Sequence, residues 1–256
     1  MARGWRDRTL HLYQWFERRI VPELRTSMED YEDVLSQYVS RGIRWLDLGC
    51  GHKLLPARRI DAEQEITGRA ELLVGLDLDR DGMLSHRTIR NLVFGNITSL
   101  PFRSCSFDLV TANWVVEHLS EPARSFREVY RVLKPHGLFL FHTPNLLSPR
   151  ILISHLLPYN IKRKIVQIIA GCSDNDIFPT FYRANTPQRI RQLAREVGFH
   201  EKCMYMVPSG GHPILALFPP AAIFELLYLR ALYRVDALST LRSNMIIVLR
   251  RSDTHA

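Results

Sequence analysis

Apolar positions along the chain follow two rhythms. Five compact apolar runs, "IRWLDL" (43–48), "ELLVGLDL" (71–78), "NLVFG" (91–95), "FDLVTAN" (107–113) and "GLFLFHT" (137–143), alternate with stretches whose apolar residues recur every three or four positions. Runs that are apolar on both faces read as strands of a parallel sheet covered by helices on both sides. Further strands are expected at roughly 200–207 and 244–250. Residues 8–40 read as helical, with Leu10, Tyr13, Phe16 and Ile20 at helix spacing; Pro22 breaks the segment, and a second helix covers roughly 27–40 and ends near Gly42. Between the fourth and fifth strands, Ser120 is the expected cap and Pro122 lies in the first turn. Phe126, Val129, Tyr130 and Leu133 form the buried stripe, and Pro135 is the stop. Another helix follows Thr186-Pro187, with Ile190, Leu193, Ala194 and Val197 as its stripe and Gly198 as its left-handed end. Two segments, 146–184 and 208–240, fall outside the alternation. Both follow a strand near the sheet's carboxyl edge, where α/β enzymes build sites from loops.

The first strand runs into "DLGCGHKLLP". Gly49 and Gly51 allow a sharp turn and a close backbone approach to a ligand. Alone, such a turn needs no ligand. The second strand adds Asp77, 26 residues after Gly51, near the spacing at which an acid accepts hydrogen bonds from a ribose diol. The competing role for Asp77 is a turn or cap residue. Dinucleotide binding fits poorly, because Leu54 stands where the G-x-G-x-x-G fingerprint needs its last glycine, with Lys53 and Pro56 on either side. The helix after strand one is therefore expected to start late.

Composition narrows the partners little. The 256-residue chain has a net charge of +8, which permits nucleic acid, an anionic membrane or an acidic substrate, or only a basic surface. Its four cysteines, Cys50, Cys105, Cys172 and Cys203, show no C-x-x-C pair and no zinc spacing, so free thiols in a reducing cytoplasm and no metal are expected. The N-terminal stretch lacks the apolar core of a signal peptide. The longest apolar stretch, Ile214 to Leu229, is too short and too interrupted to span a membrane. The expected location is cytoplasmic, extended to the inner face of the membrane if the chain binds lipid.

"GNITSLPFRSCSFDLVTANWVVEHL" and "EVYRVLKPHGLFLF" resemble, in order, the class I S-adenosylmethionine-dependent methyltransferases, and most nearly the type 11-like small-molecule enzymes. The resemblance runs continuously over 43–143. It implies an α/β, Rossmann-like, doubly wound seven-stranded sheet of order 3-2-1-4-5-7-6, the last strand antiparallel. Residues 1–42 would be an N-terminal helical lid and 43–256 the methyltransferase domain, with acceptor-cap insertions at 146–184 and 208–240. The resemblance assigns Asp47, Gly49, Cys50 and Gly51 to the amino-acid half of S-adenosyl-L-methionine. Asp77 would hold the ribose hydroxyls, and Leu78 would pack on the adenine. Asn96, where the family has an aspartate, would accept from the adenine amino group, and Ile97 would offer its backbone N–H. Asn113 would lie near the methionine part. Lys53, His136 and Asn96 depart from the family's pattern, and Lys53 leaves open a non-catalytic relative that binds cofactor or acts as a scaffold.

A sulfonium methyl is already electrophilic, so catalysis consists mainly of holding a nucleophile in line. A base is needed only for a hydroxyl or an acidic carbon. His118, beside Glu117, and His142 are the candidate bases; the competing role for each is pocket structure. "TANW" after strand four is unlike the sequences used on nucleic-acid amines, which argues against nucleic acid. "TPN" after strand five is similar to enzymes that modify glycans and lipids, and leans the acceptor toward a small molecule, a sugar or a lipid-linked glycan, methylated at oxygen. The segment 160–170, with isoleucines on one face and Lys162, Arg163 and Lys164 off it, reads as a peripheral membrane contact aided by 219–235, or as ordinary lid packing.

Overall fold

The computed structural model describes residues 11–13, 15–156, 179–209 and 219–252. Seven strands, β1 Arg44–Leu48, β2 Leu72–Asp77, β3 Asn91–Phe94, β4 Phe107–Asn113, β5 Leu133–Pro144, β6 Phe199–Val207 and β7 Asn244–Arg251, form one sheet in the order β3-β2-β1-β4-β5-β7-β6. Trp45 of β1 lies opposite both Leu73 of β2 and Leu109 of β4, in parallel register. The chain's direction of winding reverses between β1 and β4, and the crevice at their carboxyl ends is where doubly wound folds bind ligands. Arg250 and Arg251, at the end of β7, reach His136 and the Leu133 carbonyl at the start of β5, so β7 runs against its neighbour. The sheet is mixed, with its last strand antiparallel as expected.

Burial explains the apolar runs. Trp45, Leu46, Leu48, Val110, Ala112, Phe141 and Ile246 through Leu249 are almost entirely shielded. The helix Pro122–Val132 covers β5 through Phe126, whose ring meets Phe139 and Phe141 edge-on at 5.5 and 5.8 Å. Its N-cap is Glu121, without a side-chain cap bond, and not Ser120 as the sequence suggested. Leu133 opens β5 instead of closing the helix. The register then jumps from Phe107–Leu133 to Leu109–Leu138, so the turn containing His136 bulges from the ladder with φ +63°. The helix Pro187–Val197 follows its sequence signals closely: Thr186 accepts from the Arg189 N–H, and Gly198 ends it at φ +102°.

After β1 the chain makes the expected long turn. A short 3-10 segment, Ala57–Arg59, precedes the helix Ile60–Thr67. Lys53 is exposed while Leu54 and Leu55 plug the core, so a longer loop replaces the missing third glycine. Glu63 clamps that loop. Burial alone would raise its pKa, but hydrogen bonds from Arg87, Thr88 and the Leu55 N–H hold the carboxyl below its usual range.

The chain divides into two compact units. Asp30–Leu146, Pro179–Tyr205 and Met245–Ala256 make the sheet unit; Met1–Glu29, Leu147–Phe178 and Met206–Asn244 make a helical unit. In the latter, residues 11–13 and 15–20 are helical and lie beside the helix Pro219–Arg234; Tyr13 packs on Ala222 and Leu226 and donates its hydroxyl hydrogen to Glu225 at 2.8 Å. Thr26 and Glu29 exchange the reciprocal bonds of a capping box at the start of the helix Ser27–Tyr38. The expected helix at 160–170 lies outside the described residues.

Candidate active site

The site forms where β1, β2, β4 and β5 end side by side. Gly49 and Gly51 turn the chain out of β1 with φ +64° and +49°. A Cβ on Gly49 would stand 2.3 Å from Val115 Cγ2, so the loops after β1 and β4 touch only because this residue has no side chain. A Cβ on Gly51 would meet nothing within 4 Å, which leaves an open shelf of backbone. The Gly51 N–H donates to Asp77 Oδ2 at 2.7 Å and the Asp79 N–H to Asp77 Oδ1 at 2.8 Å. Asp77 therefore ties the glycine turn to the turn after β2, and each carboxylate oxygen retains acceptor capacity.

Beneath the shelf lies a buried polar chain. The Trp45 indole N–H donates to Thr111 Oγ1 at 2.6 Å, and the Thr111 hydroxyl donates to Asp47 Oδ1 at 2.5 Å. Burial pushes the Asp47 carboxyl up to about 7; the Thr111 bond opposes the shift, and the charges of Asp77 and Glu63 add to it. No cationic side chain pairs with Asp47 among the described residues. A buried carboxylate with one short hydrogen bond and no counter-ion is a costly arrangement, and a ligand cation would relieve it.

The far wall is formed by β4 and β5. His142 is buried, its Nδ1 lies 2.9 Å from Asn113 Oδ1, and its ring is stacked on Tyr31 and met edge-on by Trp114 at 4.4 Å. Burial drives its pKa down to about 3, so the ring is neutral and Nε2 has no partner. Trp114 holds φ +59°, a strained value for a bulky residue, next to the cleft. Glu117 is buried and raised to about 7 by desolvation, opposed by hydrogen bonds from its own N–H and from Thr143. Asn185 donates to Thr143 Oγ1 at 2.7 Å and completes that chain. His118 Nδ1 lies 2.8 Å from the Pro179 carbonyl; a carbonyl only accepts, so Nδ1 carries the hydrogen of that bond.

The structure thus gathers Asp47, Gly49, Gly51, Asp77 and Asn113 at one edge of the sheet. Cys50 belongs there only by its backbone: its side chain points into the core against Met83 and Ile89, and burial pushes its thiol pKa far up. Leu78 is exposed. Asn96 differs from expectation, because its Oδ1 already accepts from the N–H and hydroxyl of Thr98 at 2.9 and 3.0 Å. An adenine amino group would have to displace Thr98 to use that oxygen. Thr111 and Tyr31 were not foreseeable locally; Thr111 reads as an ordinary strand residue, and Tyr31 arrives from a helix preceding β1. A hollow of about 390 Å³ lined by His136, His200, Lys202 and Arg250 lies at the opposite end of the sheet and is no part of this site.

Comparison with known proteins agrees with this geometry. The family described as "Methyltransferase domain" matches residues 46–141, the stretch from β1 through β5 that supplies the site. The chain carries a class I S-adenosylmethionine-dependent methyltransferase domain. It is 30% identical over 135 residues to a Mycolicibacterium smegmatis protein named "Probable S-adenosylmethionine-dependent methyltransferase", covering 51% of this chain and 46% of that one. It is 29% identical over 184 residues to the ubiquinone/menaquinone biosynthesis C-methyltransferase UbiE of Idiomarina loihiensis, covering 68% and 72%. The chain thus spans about half the length of the first relative and more of the second. A crystal structure of an S-adenosylmethionine-dependent methyltransferase from Mesorhizobium loti shares the fold, with a TM-score of 0.51, 17% identity and coverage of 86% and 95%. The domain's cofactor is S-adenosylmethionine. The residues present fit that molecule: a shelf that a side chain would fill, a buried acid without a cation, and a second acid, 26 residues after Gly51, at the end of β2.

Proposed function

We propose that the chain uses S-adenosylmethionine to methylate a small-molecule or lipid-linked acceptor bearing an acidic hydroxyl, at that oxygen. Asp47 and the Gly49–Gly51 turn would hold the cofactor's amino-acid half, and Asp77 the ribose. When bound, the cofactor supplies an electrophilic methyl group. The chain's own task is to bring the acceptor atom into line and to take up its proton.

The observation that carries this reading is the 2.8 Å contact of His118 Nδ1, in the segment after β4, with the Pro179 carbonyl. With Nδ1–H donated to the Pro179 carbonyl, any proton the ring takes up in the reaction would go to Nε2. Ionising a phenolic or enolic hydroxyl makes both its oxygen and the neighbouring carbon nucleophilic. The similarity to a quinone C-methyltransferase therefore favours a second reading, in which the same deprotonation directs the methyl group to carbon. His142, held neutral by burial, supports the wall and is a poor proton acceptor.

The test is methyl transfer from radiolabelled cofactor to hydroxylated sugars, lipid-linked sugars and quinols, with wild type and His118→Gln. The reading predicts a fall in kcat of about a hundredfold in the variant, with cofactor affinity unchanged. Unaltered turnover would make His118 pocket structure. Cofactor binding without turnover on any acceptor class would favour the non-catalytic alternative.

A further inference from the structure

We propose that the helical unit docks peripherally on an anionic lipid bilayer, through an apolar face shared by the helical residues 11–13 and 15–20 and the helix Pro219–Arg234. The two segments run side by side in the same direction. Tyr13 packs on Ala222 and Leu226, the Arg230 guanidinium donates to the Ile20 carbonyl at 2.7 Å, and Arg234 pairs with Glu23 at 2.9 Å. Tyr13, Ala222 and Leu226 thus form the buried seam, and the arginine bonds join the two segments at the surface.

Their outward faces carry the signal. On the first segment Leu12, Trp15 and Phe16 are 56, 53 and 44% exposed, at spacings of three and four, and Arg19 follows on the same stripe. On the second, Ile223, Phe224 and Leu227 are 56, 73 and 55% exposed, and the exposed Arg230 and Arg234, each bonded across to the first segment, follow. Because the segments are parallel, the apolar halves lie together at one end and the arginines together at the other. Arg19 stands 5.3 Å from the centroid of the Trp15 ring, at the border between the two. An aromatic and aliphatic patch edged by cations matches the acyl boundary and headgroup phosphates of a bilayer.

Charge supports the same occupant. Among its described residues the helical unit contains seven Arg against five Asp and Glu, a positive balance. Among the described residues no helix is long and apolar enough to cross a membrane, which makes the contact peripheral. The claim is separate from methyl transfer: vesicle binding needs no cofactor, and cofactor binding needs no vesicle.

The full chain is floated with vesicles of equal phosphatidylcholine and phosphatidylglycerol, and with phosphatidylcholine alone. Wild type is expected to float with the anionic vesicles at low salt, at least about tenfold more weakly with neutral ones, and to be released as salt screens the arginines. The variant Trp15→Ser, Phe224→Ser, Leu227→Ser should lose at least about tenfold in vesicle affinity with an unchanged melting temperature. Wild type that stays unbound, or a triple variant that floats equally well, overturns the proposal. So does a wild-type dimer in light scattering that becomes monomeric in the triple variant and never floats, because a second copy would then be the occupant.

Discussion

The cofactor end of the sheet and the outer face of the helical unit invert the ordinary rule in opposite senses. At the first, acids and a histidine are buried: Asp47, Glu117 and His142 are each at most 3% exposed. At the second, Trp15, Phe224 and Leu227 stand more than half exposed. Neither arrangement helps the folded chain. Buried polar groups and exposed apolar ones are informative because folding alone gives no reason for them. The difference lies in what each leaves unmatched. The buried end has an acid, Asp47, that no cationic side chain of the described residues pairs, and the exposed face has apolar side chains that no described element covers.

Substitutions at the glycine turn should break the comparison most severely. Gly49→Ala forces a side chain onto Val115 at a positive φ, and should destabilise the fold by about 2–4 kcal/mol in urea melts. Gly51→Ala has room and suffers only the backbone cost, about 1 kcal/mol, yet it should still weaken cofactor binding because its methyl group occupies the shelf. Equal stability losses at the two positions would contradict the close loop contact.

The pH dependence of stability sharpens the first region. Asp47 and Glu117 have folded pKa values of about 7, above their unfolded values near 4. Between those limits the folded chain holds protons that the unfolded chain has lost. Stability contributed by each group is therefore full below about pH 4 and declines as pH rises to 7, by up to about 1.4 kcal/mol per pH unit per group. Asp47→Asn with Glu117→Gln should flatten that slope in melts between pH 5 and 8. A slope unchanged by the pair would mean that other groups set it.

The second region should respond least. Trp15→Ser, Phe224→Ser and Leu227→Ser remove exposed side chains, and each should change stability by no more than about 0.5 kcal/mol in urea melts. Losses of several kcal/mol would show that these side chains pack inside the protein.

The two regions also differed in how far the sequence described them. The glycine turn, the late helix start and the Thr186-to-Gly198 helix are local grammar, set by backbone conformation and caps, and the structure reproduces them; Asp77 stands at the end of β2 as expected, and its carboxylate makes the bonds of the turn role that the sequence offered beside the ribose one. Ser120 misled because Glu121 occupies the cap without bonding through its side chain. Asn96 misled because an asparagine side chain readily folds back on the backbone two residues on, here Thr98. The Trp45–Thr111–Asp47 chain and the Tyr31 stack join residues 64 or more positions apart, and no local pattern encodes them. On the helical face, periodicity alone cannot tell an inner apolar stripe from an outer one; Leu226 and Leu227 differ only in where the neighbouring helix lies.

The central claim is that the buried acids and the glycine shelf form an S-adenosylmethionine site. Calorimetric titration of the cofactor into wild type and Asp77→Ala tests it most directly. The account predicts a micromolar Kd for wild type and a loss of about tenfold to a hundredfold in the variant, from hydrogen bonds worth about 1–3 kcal/mol each. No heat with folded wild type, or equal affinity in Asp77→Ala, would contradict it.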